Sequence, residues 1–112
     1  MKKIFALLAL SLSVNAFAGN VEAGKAAAQK YNCAACHGAD YNNPVDPSYP
    51  KLAGQHADYL KHTLKAYQRG GNATNGRGNA IMGGMAKPLS AKDIDDISAY
   101  LASLPGSLVV RK

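Results

Sequence analysis

The stretch Cys33-Ala34-Ala35-Cys36-His37 sets the terms for the rest of the chain. Two thiols three residues apart lie about one helical turn apart, and a histidine follows the second directly. The pattern reads as a covalent attachment site for a c-type haem. Both sulfurs reach the two vinyl groups of one porphyrin, and the neutral imidazole is carried under the iron as a proximal ligand. The alanines between the cysteines avoid bulk against the macrocycle. Rival chemistries fit less well. A redox dithiol of the thioredoxin kind expects a βαβ context, which the sequence lacks. A structural zinc site usually takes four ligands, and the chain has 2 cysteines. A disulfide across so short a loop would stabilise little.

Upstream of this site the chain opens as an export leader. Lys2 and Lys3 form a positive start, Ile4 to Val14 is apolar apart from Ser11 and Ser13, and Ala16-Phe17-Ala18 is a small-x-small cleavage pattern. It reads as a secretory signal peptide, residues 1–18, cleaved after Ala18, and is too short for a membrane span with stop-transfer flanks. Bacterial c-type haem is attached outside the cytoplasm, so leader and motif support each other. Residues 19–112 then form a single domain with 11 basic and 7 acidic residues, a net charge of +4 before haem propionates are counted. A domain of this size buries a modest core and benefits from a covalent staple. The basic balance favours acidic protein partners over nucleic acid, because the cations are scattered rather than forming a patch with interleaved aromatics.

The domain reads as helices and loops, with no convincing strand. Val21 to Asn32 is alanine-rich and helical, and Gly24 within it implies close crossing by another helix. Gly38 to Gly54, with Pro44, Pro47 and Pro50, reads as an irregular loop beside the proximal face. A ligand histidine usually donates its second N–H to a carbonyl, and a prolyl carbonyl here is the natural acceptor. Gln55 to Arg69 is amphipathic, with Tyr59, Leu60, Thr63, Leu64 and Tyr67 inward and Lys61, Lys65 and Gln68 outward. His56 and His62 on it are weaker candidates for a second axial ligand. Gly70 to Lys87 reads as a long glycine-rich loop holding Met82 and Met85, the only methionines after the leader. A thioether suits the sixth position of an electron-transfer haem, and local pattern alone does not separate the two. Ser90-Ala91-Lys92-Asp93 resembles a capping box. The helix after it carries an apolar stripe of Ile94, Ile97, Tyr100, Leu101 and Leu104 and stops at Pro105-Gly106.

Taken together, CAACHG, the stretch Pro47 to Gln55, IMGGMAKPLS and the helix Asp93–Leu104 resemble the class I cytochromes c. The likeness is strongest to small bacterial periplasmic members and to each half of the di-haem c-four type. The resemblance implies an all-α fold, with three to four helices wrapped around one covalently attached haem c and its iron. It implies thioethers at Cys33 and Cys36, His37 as proximal ligand, and Met82, eight residues before the capping Ser90, as distal ligand, with Met85 the runner-up. It further implies that Pro47, with Pro50 second, offers its carbonyl to His37. Leu52, Tyr59 and Arg77 complete the haem-contacting set, with Arg77 placed to pair with a propionate. First and last helices would cross at Gly24, near Tyr100 and Leu101.

The function so implied is a periplasmic single-electron carrier rather than an enzyme. It would cycle Fe(III)/Fe(II) under His/Met ligation between redox protein partners with acidic docking surfaces, with no nucleic-acid partner and no stable membrane insertion after cleavage. The alternatives are a haem subunit of a larger oxidoreductase complex, or a five-coordinate haem enzyme or gas sensor, which requires that neither methionine ligates.

Overall fold

A computed structural model describes residues 19–108. The leader, its cleavage after Ala18, and the basic end Arg111-Lys112 lie outside those residues. Five helices follow one another: α1 (Val21–Lys30), α2 (Ala34–His37), α3 (Ala57–Arg69), α4 (Ala80–Ala86) and α5 (Ala91–Ser103). There is no strand among the described residues. None of the described helices is long and apolar enough to cross a membrane.

The three longer helices stand where the sequence pattern puts them, and their ends have identifiable causes. Asn20 caps α1 by accepting from the Ala23 amide at 2.9 Å, satisfying one of the orphan donors of the first turn. Asn32 stops α1 by entering the left-handed region at φ 57°, and the Cys33 amide reaches back to the Ala28 carbonyl at 3.1 Å. This closure turns the chain so that Cys33 opens α2. The capping box at α5 is complete. The Asp93 amide donates to Ser90 Oγ and the Ser90 amide to Asp93 Oδ2, both at 3.0 Å.

Helices α1 and α5 cross at Gly24. A Cβ built there would stand 1.9 Å from the Asp96 carbonyl oxygen and 2.7 Å from Tyr100 Cβ, so only a residue without a side chain allows the approach. The crossing is pinned by Asp96, whose buried carboxylate accepts the Asn20 amide at 2.8 Å and pairs with Lys92. Helix α3 packs on α5, with Lys61 paired to Asp95 at 2.8 Å. The shared core contains Leu60, Leu89, Ile94, Ile97 and Leu101, with Ala28, Tyr41 and Ala53. Tyr41 meets Tyr100 edge to face at 5.9 Å between centroids, and burial pushes its phenol up to about 12, aided by Cys33 and Tyr100.

Two elements depart from the sequence-based picture of three to four helices. One is the single turn α2, which carries the cysteines and the histidine. The other is α4, inside the stretch read as a glycine-rich loop. Asn79 starts α4 by accepting from the Ile81 and Met82 amides at 3.0 Å. Gly83 and Gly84 lie within it, where their low helix propensity masked the element.

An apolar cavity walled by Cys-x-x-Cys-His

The site begins with the loop after α2. Gly38, at φ 88°, turns the chain away from His37; a Cβ there would meet the Asn43 carbonyl oxygen at 2.2 Å. Asp40 then accepts the Asn42 and Asn43 amides, each at 3.0 Å, closing a tight polar turn. The Val45 amide returns to the Cys36 carbonyl at 3.0 Å. The Leu52 and Ala53 amides both donate to the Tyr41 carbonyl, at 2.8 and 3.0 Å. These bonds fold the proline-rich loop back onto α2 and bring the Pro50 carbonyl to His37.

His37 is buried, and its Nδ1–H donates to the Pro50 carbonyl oxygen at 2.9 Å. That bond occupies Nδ1 and leaves Nε2 with its lone pair. The acceptor is Pro50 and not Pro47. Pro47 is exposed and stands outside the cavity, because the Asp46–Ser48 turn, with its Ser48 amide bond of 2.8 Å to Asp46 Oδ1, spends three residues before the chain reaches the histidine.

His37 forms part of the wall of a cavity of about 360 Å³, within the roughly 300–1,000 Å³ of cofactor sites. Cys33 and Cys36 line it with His37, and both cysteines are free of disulfide bonding. Leu52 from the loop, Leu60 and Leu64 from α3, Leu89, and Ile97 and Leu101 from α5 supply apolar walls. Met82 and Met85 enter it from one face of α4, Met82 half-buried and Met85 38% exposed. His56 and His62 are exposed and do not line it, so neither is placed to reach a group held there.

Polar groups interrupt the apolar lining. Arg77 donates to the Tyr59 hydroxyl at 3.4 Å and lies 5.8 Å and 5.9 Å from the centres of the Tyr59 and Tyr67 rings. The guanidinium holds the Tyr59 phenol below its ordinary value, by hydrogen bond and by charge. Lys51 and Gln55 line the same cavity. Burial pushes the Cys33 thiol up, the opposite of the lowered thiol that marks a redox dithiol.

A donor set of two thiols, one imidazole with a free Nε2 and two thioethers, around an apolar slot edged by a cation, fits a haem and fits a zinc ion poorly. Fold and cavity define an all-helical haem protein. The family description "Cytochrome c" matches residues 21–105. Cytochrome c4 of Stutzerimonas stutzeri is 40% identical over 115 residues, covering 96% of this chain and 53% of that protein. Cytochrome c-554(548) of Halomonas halodenitrificans is 47% identical over 75 residues, covering 63% of this chain and 82% of that one. The crystal structure of reduced recombinant cytochrome c4 from Pseudomonas stutzeri superposes with a TM-score of 0.70 at 41% identity, over 81% of this chain and 48% of that chain. The chain belongs to the cytochrome c family. With that membership comes haem c, bound covalently, for which the chain has two cysteines. It spans about half the length of the cytochrome c4 proteins that it matches.

Proposed function

We propose that this protein is a periplasmic single-electron carrier, exported by a leader cleaved after Ala18 and folded as one domain over residues 19–112. Cys33 and Cys36 form the thioethers, His37 Nε2 is the proximal iron ligand and Met82 the distal one. When bound, the haem supplies the Fe(III)/Fe(II) couple that takes up and releases one electron. The bond from His37 to Pro50 holds the imidazole in one tautomer and one orientation, so the ligand has no rearrangement to make between redox states. The leucines of the lining exclude water, and a thioether ligand raises the reduction potential. Met82 is favoured over Met85 because it is the less exposed of the two in the same cavity. Arg77 and Lys51 are cations at the lining suited to haem carboxylates. The excess of basic residues steers the carrier to acidic partner surfaces, by contacts that weaken as salt rises.

The observation that carries this reading is one cavity walled by both cysteines, by His37 with Nδ1 already engaged, and by Met82. The test is an optical spectrum of the exported protein, oxidised and then reduced, with and without carbon monoxide. Sharp reduced α and β bands indifferent to carbon monoxide are expected. A high-spin spectrum that shifts with carbon monoxide would replace the carrier by an enzyme or gas sensor.

A further inference from the structure

The amphipathic pattern of α3 places Gln68 among its outward residues, but the folded chain turns the side chain inward. Gln68 Nε2 donates to the Ala86 carbonyl at 2.9 Å and to the Leu89 carbonyl at 2.8 Å. One acceptor is at the end of α4 and the other lies just beyond it. Ala86 is the last residue of α4 and is fully buried, and Leu89, three residues on, is also buried. The final carbonyls of a helix lack intrahelical partners. That of Ala86 also accepts the Leu89 amide at 3.1 Å, so Gln68 is its second donor, and a buried carbonyl such as that of Leu89 needs a donor that water does not supply. One primary amide carries two N–H groups, which matches two carbonyls.

Helix α4 gains from such a tie. It has seven residues, two of them glycine, and a helix so short has little stability of its own. Its main packing partner is α3. It carries Met82 and Met85 into the cavity, whereas Gln68 does not line the cavity at all. Gln68 therefore acts on the site through the end of α4 and through Leu89, not by lining the cavity itself.

We propose that Gln68 is the positioning residue of the distal ligand. By tying the Ala86 carbonyl at the end of α4 and the Leu89 carbonyl just beyond it to α3, it holds the Met82 thioether in place and keeps external ligands from the iron. The proposal rests on the assignment of Met82 as iron ligand, which is tested separately.

The experiment uses the holoprotein and imidazole as an external iron ligand, titrated optically in the oxidised state, with the reduction potential measured alongside. Gln68→Leu removes both donors, and Gln68→Met, of similar length, replaces it where leucine prevents folding. At least a tenfold gain in imidazole affinity and a lower potential are expected, with the haem still attached. Gly24→Ala serves as a variant destabilised elsewhere and should keep the wild-type affinity. If Gly24→Ala opens the iron as much as Gln68→Leu does, Gln68 acts through global stability and the proposal falls. If Met82→Ala raises imidazole affinity while neither Gln68 variant does, the ligand assignment stands and the positioning role is overturned. If Met82→Ala leaves the iron closed, the ligand assignment fails and takes the proposal with it.

Discussion

The imidazole of His37 is tied to the backbone carbonyl of Pro50, 2.9 Å away and thirteen residues further along the chain. A backbone acceptor carries no titratable group. The bond also makes the orientation of His37 depend on how the whole loop is folded. The bonds from Leu52 and Ala53 to the Tyr41 carbonyl are thus part of the haem site, although they contact nothing in the cavity wall except through Leu52.

Replacing both Cys33 and Cys36 with alanine is expected to give a colourless and largely unfolded protein. The cavity walls are the inward faces of α3, α4, α5 and the proline loop, and a chain of this size has little other core to bury. Circular dichroism and absorbance of the exported double variant decide the point. A folded helical apoprotein would show that the haem does not staple the fold.

Met82→Ala should lower the reduction potential and admit carbon monoxide to the reduced iron, while Met85→Ala should do neither. The two side chains share one face of a short helix, and their exposure is what separates them. Redox titration with carbon monoxide binding reads both, and the reverse pattern would move the ligand to Met85.

Gly24→Ala should destabilise the protein by about 1–3 kcal/mol, the usual cost of overpacking. The intrinsic helix gain from alanine, roughly 0.5–1 kcal/mol, works against that loss. The Asp96 carbonyl, 1.9 Å from the new Cβ, is backbone of α5 and gives way only if the helices part. Denaturant unfolding at constant m-value measures it, and an unchanged midpoint would refute the tight crossing.

Acid should erode stability through Asp93 and Asp96. The Ser90 amide holds the Asp93 carboxyl below its ordinary value of 3.8, with burial opposing and with the Ser90 and Tyr31 hydroxyls and Lys30 assisting. Burial alone would raise Asp96, but Lys92 and the Asn20 amide outweigh it, and the net direction is also down. A carboxyl whose folded value is depressed stabilises the fold above its unfolded value and loses that contribution as pH falls through the folded one. Stability should therefore be level near neutrality and decline below about pH 4. Asp93→Asn should lower the plateau and flatten the decline, as read by thermal unfolding at several pH values. A decline of unchanged steepness would exclude Asp93 as a source.

Much of this protein was legible one helical turn at a time. The Cys-x-x-Cys-His spacing, the stripes of α3 and α5, the Ser90–Asp93 box and the close approach at Gly24 depend on neighbours a few residues apart, or on a residue type with one common use. Other features depended on contacts far apart in sequence. Proline content does not say whether Pro47 or Pro50 faces His37; the fold of the loop on Tyr41 and Cys36 chooses Pro50. Glycine content hides α4, which stands because Asn79 caps it and α3 packs against it. Amphipathic spacing sends Gln68 outward, but the buried end of α4 draws it in, because carbonyls removed from water need a donor. The sequence by itself determined which group the chain holds and which residues are chemically able to hold it. Only the tertiary structure decided which carbonyl orients the histidine and which helix presents the methionines, since a hydrogen bond across many residues is available only once packing has brought its partners together.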